Sequence, residues 1–406
     1  MKQGDTLSLP KGWEIKKLGE VCDVIGGGTP SKKNSKFYEG DILWATVRDM
    51  KSEIISDTEF KITEEAVKKS STNIIPKGNV IIATRVGLGK VCLIEKDTAI
   101  NQDLRGIVPK KSKQLDNGFL FQWFKSISHL IAEEGTGATV QGVKLPFIKD
   151  LLIPLPPLPE QQHIVSILDE AFAAIERSRN AAIKNLKNAK ELFESYLQGV
   201  FENGDWEENK LGDLCLLITK GSSPKWQGIK YVDEPGILFV TSENVGEGKM
   251  LLNERKYVEE KFNLKDKKSI LRKGDVLTNI VGASIGRTAI YDIDDVANIN
   301  QAVCILRCNP KYILNNYLMN LLNSPFLKKI LHDNEVNTAR ANLSLGFFNK
   351  LSIPCPTIDE QQTIVRQLDA LRAETKKLET NYQQKIINLE ELKKSVLQKA
   401  FAGEIN

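Results

Sequence analysis

The chain has 406 residues, of which 41% are hydrophobic and 27% are charged, and its formal net charge is +4. This length exceeds one compact core, so the sequence predicts two domains of about 100–200 residues each. No run of about 18 apolar residues is present, and no apolar segment follows the polar N-terminus, which argues against a membrane span and a secretory signal. We therefore expect a cytoplasmic protein.

One pattern occurs twice along the chain. Residues 13–22 (WEIKKLGEVC) correspond to residues 206–215 (WEENKLGDLC), and residues 77–80 (KGNV) correspond to residues 273–276 (KGDV). From about residue 145 the two copies keep a constant separation: Glu-Gln-Gln occupies both 160–162 and 360–362. An internal repeat of this length indicates two related domains, and the drift in separation before residue 145 indicates small insertions in loops.

The first part of each repeat contains short β-branched runs, such as residues 80–84 and 302–306, separated by Gly, Pro and Asn. This pattern favours strands joined by turns, and helices are predicted at residues 63–69 and 117–134. We predict an α/β (α+β) fold with small twisted or barrel-like sheets. The expected boundaries are 1–157 and 204–357 for the two domains, and 158–203 and 358–406 for the helices that follow them.

Each of these long helices carries a stripe of apolar or small residues, with one charged exception, Lys393. The stripes are Ile164, Leu168, Ala171, Ile175, Ser178, Ala182, Leu186, Ala189, Phe193, Tyr196 and Val200, and Ile364, Leu368, Leu371, Thr375, Leu378, Tyr382, Ile386, Leu389, Lys393, Val396 and Ala400. Steps of four and three alternate, with one extra four at Ala182→Leu186 and at Tyr382→Ile386. The pattern predicts a coiled coil, and the shared irregularity predicts that the two helices pair with each other antiparallel. The alternative is that each helix packs only on its own domain.

Two related domains are joined by a stiff pair of helices, each about 60 Å long. Such an architecture is better suited to contacting two sites at a fixed separation than to enclosing a small ligand in a pocket. On B-DNA, half-sites of a symmetric reader lie roughly 34 Å apart. Because the two domains differ in sequence, we expect a bipartite, asymmetric target with an unread spacer of roughly 5–8 base pairs.

Residues 153–162 (IPLPPLPEQQ), 353–362 (IPCPTIDEQQ), 397–404 (LQKAFAGE) and 27–31 (GGTPS) resemble the hallmarks of DNA-specificity (S) subunits of type I restriction-modification systems. The resemblance covers about residues 12–404, with a mild departure at 220–224 (KGSSP). It implies two target recognition domains, double-stranded DNA as ligand, and assembly with two modification (methyltransferase) subunits and two restriction (motor-nuclease) subunits. S-adenosylmethionine, ATP and Mg are expected on those partner subunits, and no cofactor is expected on this chain.

The candidate DNA-binding residues are basic or small polar residues in loops and at predicted strand ends, because such side chains contact phosphates and base edges. In the first domain they are Thr29, Ser31, Lys32, Lys33, Lys36, Thr46, Arg48, Arg85, Lys90, Asn101 and Gln102. In the second they are Ser222, Ser223, Lys225, Ser242, Asn244, Arg287, Asn300, Gln301 and Arg340. Each lysine can instead be merely solvated, and the repeated Asn-Gln pair can instead hold a turn. Trp44 and Phe239 are predicted to be core residues rather than stacking platforms.

The repeated helix starts supply candidate partner-binding residues: Glu160, Gln161, Gln162, Glu360, Gln361 and Gln362. They are equally well explained as helix-start residues, since Glu in a first turn suits the helix dipole.

No catalytic residue is predicted. The chain lacks the Asp/Asn-Pro-Pro-aromatic tetrapeptide of amino-methyltransferases, and residues 87–91 (GLGKV) depart from a P-loop and indicate a glycine turn. The scattered cysteines and histidines lack metal-ligand spacing, so we expect no metal site and mostly buried thiols. The alternatives are a self-contained enzyme, a coiled-coil scaffold that binds no DNA, and the specificity subunit of a related bipartite system that cuts on both sides of its site.

Overall fold

A computed structural model of the chain describes residues 10–135, 142–334 and 341–405. Its contacts divide it into two units, residues 1–182 with 384–406 and residues 183–383. The division crosses both long helices, so each unit contains one α/β domain and a part of either helix. No helix in the described ranges is both long enough and apolar enough to cross a membrane.

The first domain alternates short strands with short helices. Its strands are β1 (Glu14–Lys17), β2 (Cys22–Gly26), β3 (Ile42–Ala45), β4 (Ile54–Ile55), β5 (Phe60–Ile62), β6 (Asn73–Ile75), β7 (Val80–Ala83), β8 (Val91–Ile94), β9 (Thr98–Ile100), β10 (Leu104–Pro109) and β11 (Leu152–Leu155). Its helices are α1 (Leu18–Val21), α2 (Glu64–Lys68), α3 (Asn117–Ser126), α4 (Ser128–Gly135) and α5 (Leu145–Asp150), and the long helix α6 (Leu158–Glu202) follows.

The second domain has a similar order of elements. Its strands are β12 (Glu208–Lys210), β13 (Cys215–Lys220), β14 (Tyr231–Val232), β15 (Ile237–Val240), β16 (Tyr257–Val258), β17 (Val276–Asn279), β18 (Thr288–Ile290), β19 (Ala297–Ile299), β20 (Val303–Cys308) and β21 (Ser352–Pro354). Its helices are α7 (Leu211–Leu214), α8 (Lys261–Lys265), α9 (Asn315–Asn323), α10 (Pro325–Asp333) and α11 (Leu345–Lys350), followed by the long helix α12 (Ile358–Ala402).

Each domain is built on two small sheets and a short strand pair. The first has the orders β2-β10-β7-β8-β4 and β5-β3-β9-β6, and the second has β13-β20-β17-β18 and β14-β16-β15-β19. The pairs β3–β9 and β15–β19 are parallel. The predicted α/β class with two repeated domains is confirmed; the sheets are open, and none closes into a barrel within the described ranges.

The strands predicted at residues 80–84 and 302–306 and the helix predicted at residues 63–69 are present. The helix predicted at residues 117–134 is wrong in one respect. It is two helices, α3 and α4, separated at Ile127. The Ser126 hydroxyl donates to the Trp123 carbonyl oxygen at 2.7 Å, which competes with the helical hydrogen-bond pattern. Ile127 leaves helical geometry with ψ 9°.

Within each unit the start of one long helix shares a hydrophobic core with the end of the other. In the first unit, Ile164 and Leu168 lie in one core with Leu397 and Phe401. The second unit has the counterpart arrangement, in which the buried residues Leu197, Phe201, Ile364 and Leu368 share a core. The helices are therefore antiparallel in both units, as the stripes predict, and the alternative of separately packed helices is wrong.

The charged exception in the second stripe, Lys393, has a specific partner. Its ammonium nitrogen lies 5.1 Å from the ring centroid of Phe172 and 3.9 Å from a carboxylate oxygen of Glu53. In the second unit the guanidinium carbon of Arg372 lies 4.9 Å from the ring centroid of Phe193. Cation–π contact explains why a lysine is accepted at a stripe position.

Candidate nucleic-acid interface

Four loop segments of the first domain leave its two sheets at one edge. The parallel strands β3 and β9 end side by side, with Ala45 opposite Ile100. The two sheets are joined there, because the Gly28 amide donates to the Ile100 carbonyl oxygen at 3.0 Å and the Thr84 amide donates to that of Asp103 at 2.8 Å. We call residues 27–36, 46–52, 84–90 and 101–105 the first edge. Its predicted DNA-binding residues are Thr29, Ser31, Lys32, Lys33, Lys36, Thr46, Arg48, Arg85, Lys90, Asn101 and Gln102.

The second domain has the corresponding edge. β15 and β19 again end side by side, with Val240 opposite Ile299, and the Asn300 amide donates to the Val240 carbonyl oxygen at 3.0 Å. The Ile280 amide donates to the Ala302 carbonyl oxygen at 2.9 Å. We call residues 221–230, 241–247, 280–287 and 300–302 the second edge. It brings together the predicted residues Ser222, Ser223, Lys225, Ser242, Asn244, Arg287, Asn300 and Gln301, whereas Arg340 lies outside the described residues.

A glycine at equivalent places keeps each edge compact. A Cβ atom on Gly27 would lie 2.1 Å from the Asn101 carbonyl oxygen, and one on Gly221 would lie 1.8 Å from that of Ile299. Any other residue would push the loop away from the strand ends. This close approach gives the glycine pattern seen in the sequence a structural reason.

The repeated Asn-Gln pair divides into a turn-forming residue and an exposed one. The Asn101 side-chain oxygen accepts from the Asp103 amide at 3.1 Å, and the Asn300 side-chain oxygen accepts from the Ala302 amide at 3.0 Å. Gln102 and Gln301 are exposed, and the Thr29 hydroxyl donates to Gln102. The asparagines hold the turn, as one of the two interpretations expects, and the glutamines are the members of the pair that a ligand could reach.

Matching turns follow β3 and β15. The Asp49 carboxylate accepts from the Thr46 amide at 2.7 Å and from the Thr46 hydroxyl at 2.9 Å. The Asn244 side-chain oxygen accepts from the Thr241 amide at 2.9 Å and from its hydroxyl at 3.1 Å. Asn244 is buried, and its amide group donates to the Leu251 carbonyl oxygen at 3.0 Å. Its polar atoms are therefore used within the chain.

These two matching turns carry ion pairs of opposite direction. In the first edge, Arg48 lies 3.8 Å from Glu59, which directly precedes β5. In the second edge, Glu243 lies 2.9 Å from Lys256, which directly precedes β16. The Lys256 hydrogen bond lowers the pKa of Glu243, and the same bond raises the pKa of Lys256. One backbone frame thus presents a cation in the first domain where it presents an anion in the second.

Arg105 is a cation of the first edge that the sequence analysis missed. Its guanidinium donates to the Gln102 and Leu104 carbonyl oxygens at 3.1 and 2.8 Å, and burial followed by the nearby Arg85 lowers its pKa. Arg85 itself is exposed at the end of β7, as predicted. An arginine three residues after the repeated Asn-Gln pair was the available signal.

Of the remaining predicted residues, one holds its own loop in place and most of the others are exposed. The Ser222 hydroxyl donates to Asp266 at 2.5 Å and accepts from the Gln227 amide group at 2.6 Å, so it fixes its loop. Ser31, Lys32, Lys33, Lys36, Arg48, Arg85, Lys90, Lys225 and Arg287 are exposed. Trp44 and Phe239 are buried core residues, as predicted.

The six residues at the helix starts have different surroundings. Gln161 and Gln361 are 0% exposed and hydrogen-bonded inside their own domains. Glu360 accepts from the Thr357 hydroxyl at 2.7 Å, which lowers the pKa of Glu360, and Glu160 accepts from the Trp13 indole at 2.8 Å. Only Gln162 and Gln362 of the predicted glutamines are exposed.

No group of three metal-ligating side chains lies together in the part of the chain that the structure describes. Cys22, Cys92 and Cys304 are buried, and burial raises the pKa of the Cys22 thiol to about 12 and that of Cys92 to about 11. The edges offer hydrogen-bond donors, acceptors and cations on exposed loop residues, which suits contact with a long polar ligand.

The family model for the type I restriction modification DNA specificity domain matches residues 10–185 and 203–388. The chain belongs to this family. The two matches each include one edge and a large part of the helix that follows it. The resemblance stated from the sequence is therefore confirmed, and the family's name describes DNA specificity as the role of both repeats.

Similar proteins agree with this assignment. The type I restriction enzyme MjaIX specificity subunit of Methanocaldococcus jannaschii is 28% identical over 361 residues, which cover 80% of this chain and 83% of that one. A chain from a structure of complex assembly and conformational transition of the type I R-M system has a TM-score of 0.76 and 22% identity, and covers 98% of this chain and 99% of its own. The HsdS subunit of Thermoanaerobacter tengcongensis has a TM-score of 0.69 and 22% identity over the whole of both chains. At these identities the two structures show a common fold.

Proposed function

We propose that this family member is the DNA-specificity subunit of a type I restriction-modification complex and that each edge reads one half of an asymmetric bipartite target. The observation that carries the proposal is the matching pair of edges. They share their backbone turns, but Arg48 with Glu59 in one corresponds to Glu243 with Lys256 in the other.

The opposite charges support different half-sites. Arginine recognises the two major-groove acceptors of guanine, whereas glutamate accepts from the amino group of cytosine. Two edges with the same backbone turns and opposite charges on those turns would therefore prefer different bases. Exposed basic residues such as Lys32 and Lys225 would contact phosphates and hold the register without reading sequence.

The long helices are proposed to set the length of the unread spacer. Each is a continuous helix of 45 residues, roughly 65–70 Å long. Their antiparallel packing within each unit supports a stiff connection, because both ends of each helix are tied into a hydrophobic core.

The chemistry is proposed to belong to partner subunits in the cytoplasm. We infer that this chain is not itself an enzyme and assembles with two modification subunits and two restriction subunits, which would hold S-adenosylmethionine, ATP and Mg. Gln162 and Gln362, at equivalent helix starts, and Glu360 are exposed there and accessible to a modification subunit. Arg340 remains a candidate DNA contact on the sequence argument alone.

Methylation mapping of single DNA molecules tests the proposal. DNA would come from a host that expresses this chain with its modification subunit, and from matched hosts that lack either one. We expect a new asymmetric motif with methylated adenine in both halves only when both proteins are present. Assembly of the complex without any new motif would instead support a scaffold that binds no DNA.

A further inference from the structure

Trp226 in the second edge is exposed to an unusual extent for a tryptophan. Its exposed fraction is 85%. Among the described residues, Trp13, Trp44 and Trp123 are buried, and Trp206 packs against the core of the second unit. The packing of its own domain therefore gives no reason for an indole at position 226.

The loop that carries Trp226 is held firmly. A short 3-10 turn at Lys225–Gln227 follows Pro224, and the Ile229 amide donates to the Pro224 carbonyl oxygen at 3.0 Å. The Gln227 amide group donates to the Ser222 hydroxyl at 2.6 Å, and Ile229 is buried below the turn. The indole is thus presented on a fixed support, which lowers the entropy lost on binding.

One lysine precedes Trp226 in the chain, and the ammonium group of a second lysine bonds the residue after it. Lys225 is the preceding lysine and is exposed. The Lys265 ammonium group donates to the carbonyl oxygen of Gln227, the next residue, at 2.7 Å. An apolar surface bordered by cations matches a polyanion with apolar parts, such as the sugars and base edges beside DNA phosphates.

The first edge has no such aromatic residue. Counted from the equivalent glycines Gly27 and Gly221, Pro30 corresponds to Pro224, and Lys32 corresponds to Trp226. The two loops therefore start alike and differ at the tip.

We propose that Trp226 is a DNA contact of the second half-site, in which Lys225 and Lys265 neutralise phosphates and the indole packs against the adjoining deoxyribose and base edges. This inference rests on the proposed function, since it assigns a ligand to the second edge. It adds an apolar contact that the first half-site lacks.

The test measures the affinity of the complex with its modification subunit for a duplex that carries the mapped motif, over a series of salt concentrations. We expect Trp226→Ala to weaken binding about tenfold or more without changing the slope of log K against log salt. Lys225→Ala should weaken it less and reduce that slope by about one. Trp226→Phe should retain most of the affinity, and Tyr312→Ala, an exposed aromatic residue outside the second edge, should bind as the unaltered chain does.

The failures are distinguishable. Absence of binding by the unaltered complex would overturn the proposed function and this inference with it. Tight binding by the unaltered complex and equal binding by Trp226→Ala would overturn this inference alone. Loss of assembly with the modification subunit in Trp226→Ala, with normal DNA affinity of the complex that does form, would assign the indole to a protein contact instead.

Discussion

Gln161 and Gln361 make the same three hydrogen bonds at equivalent positions of the two repeats. The Gln161 side chain accepts from the Asp116 amide at 2.9 Å and donates to the Gln114 and Pro156 carbonyl oxygens at 2.9 and 2.8 Å. Gln361 accepts from the Leu314 amide at 2.8 Å and donates to the carbonyl oxygens of Tyr312 and Pro356 at 2.9 Å each. Each glutamine thus fastens the start of a long helix to the loop before α3 or α9.

We expect Gln161→Leu to lower the free energy of unfolding by about 2–4 kcal/mol, because it leaves the partly buried Asp116 amide and Gln114 carbonyl oxygen and the buried Pro156 carbonyl oxygen without this partner. Urea denaturation followed by circular dichroism measures the change. The matched control is Gln162→Leu, which alters the exposed neighbour and should change stability by less than about 0.5 kcal/mol. Equal effects of the two substitutions would contradict the fastening role.

Exchange of the ion pair at one edge should alter one half of the target. Arg48→Glu combined with Glu59→Lys gives the first edge the polarity of the second and keeps an ion pair. We expect at least about a tenfold loss of affinity for the original motif, since a good bidentate base contact contributes about 1–3 kcal/mol. Methylation mapping should show a changed first half-site and an unchanged second one.

The reciprocal control for this exchange is Glu243→Lys with Lys256→Glu, which should alter only the second half-site. A motif that survives both double substitutions intact would show that neither pair contacts bases.

Removal of one helical turn from both long helices should shorten the spacer. Deletion of residues 183–186 and 383–386 removes the extra step of four in each stripe, so that steps of four and three then alternate without interruption. Four residues rise about 6 Å, which corresponds to roughly one to two base pairs. Mapping of the methylated motif should find both half-sites kept and the spacer shortened by that amount. An unchanged spacer would contradict the proposal that the long helices set the spacer length.

The buried thiols should make the protein less stable at alkaline pH. The pKa of Cys92 is raised to about 11 and that of Cys22 to about 12, mainly by burial, from an ordinary value of 9.0. Because the unfolded chain loses these protons first, stability is fully present below pH 9.0 and falls as the pH rises through the folded pKa. We expect a loss of about 1–2 kcal/mol per thiol by about pH 10.5.

Urea midpoints between about pH 8 and 10.5 measure this loss, and Cys92→Ala should show a shallower decline than the unaltered chain. Identical slopes in the two proteins would assign the alkaline effect to other groups.

Periodicity was enough to predict the long helices, because apolar or small residues recur at steps of four and three over eleven positions in each helix, with Lys393 as the charged exception. The duplicated domain order also followed from the repeat. The break at Ile127 did not, since it depends on a serine side chain that bonds back to the helix backbone. The openness of the sheets depends on strand order, and strand order is set by contacts between residues far apart in the sequence.

At the edges, sequence reasoning identified the residues that follow apolar strands, such as Arg48 and Arg85. It could not separate the exposed Gln102 from Asn101, whose polar atoms are used in the turn, because the direction in which each side chain points is set by the fold. Sequence reasoning also overlooked Trp226. A tryptophan is ordinarily a core residue, and only the fold shows that this one is exposed.

The contact of Phe172 with Lys393 has its counterpart in Phe193 with Arg372, and the same helix supplies the ring in both. In the first unit α6 supplies the ring and α12 the cation, and in the second unit α6 again supplies the ring. In these two contacts the ring therefore comes from the first repeat and the cation from the second. Two copies of the first repeat would oppose Phe172 and Phe193, and two copies of the second would oppose Arg372 and Lys393, which repel. The two repeats therefore carry complementary side chains at these positions. A recombinant chain that inherits only one repeat needs a partner helix that supplies the other member of each ring–cation pair.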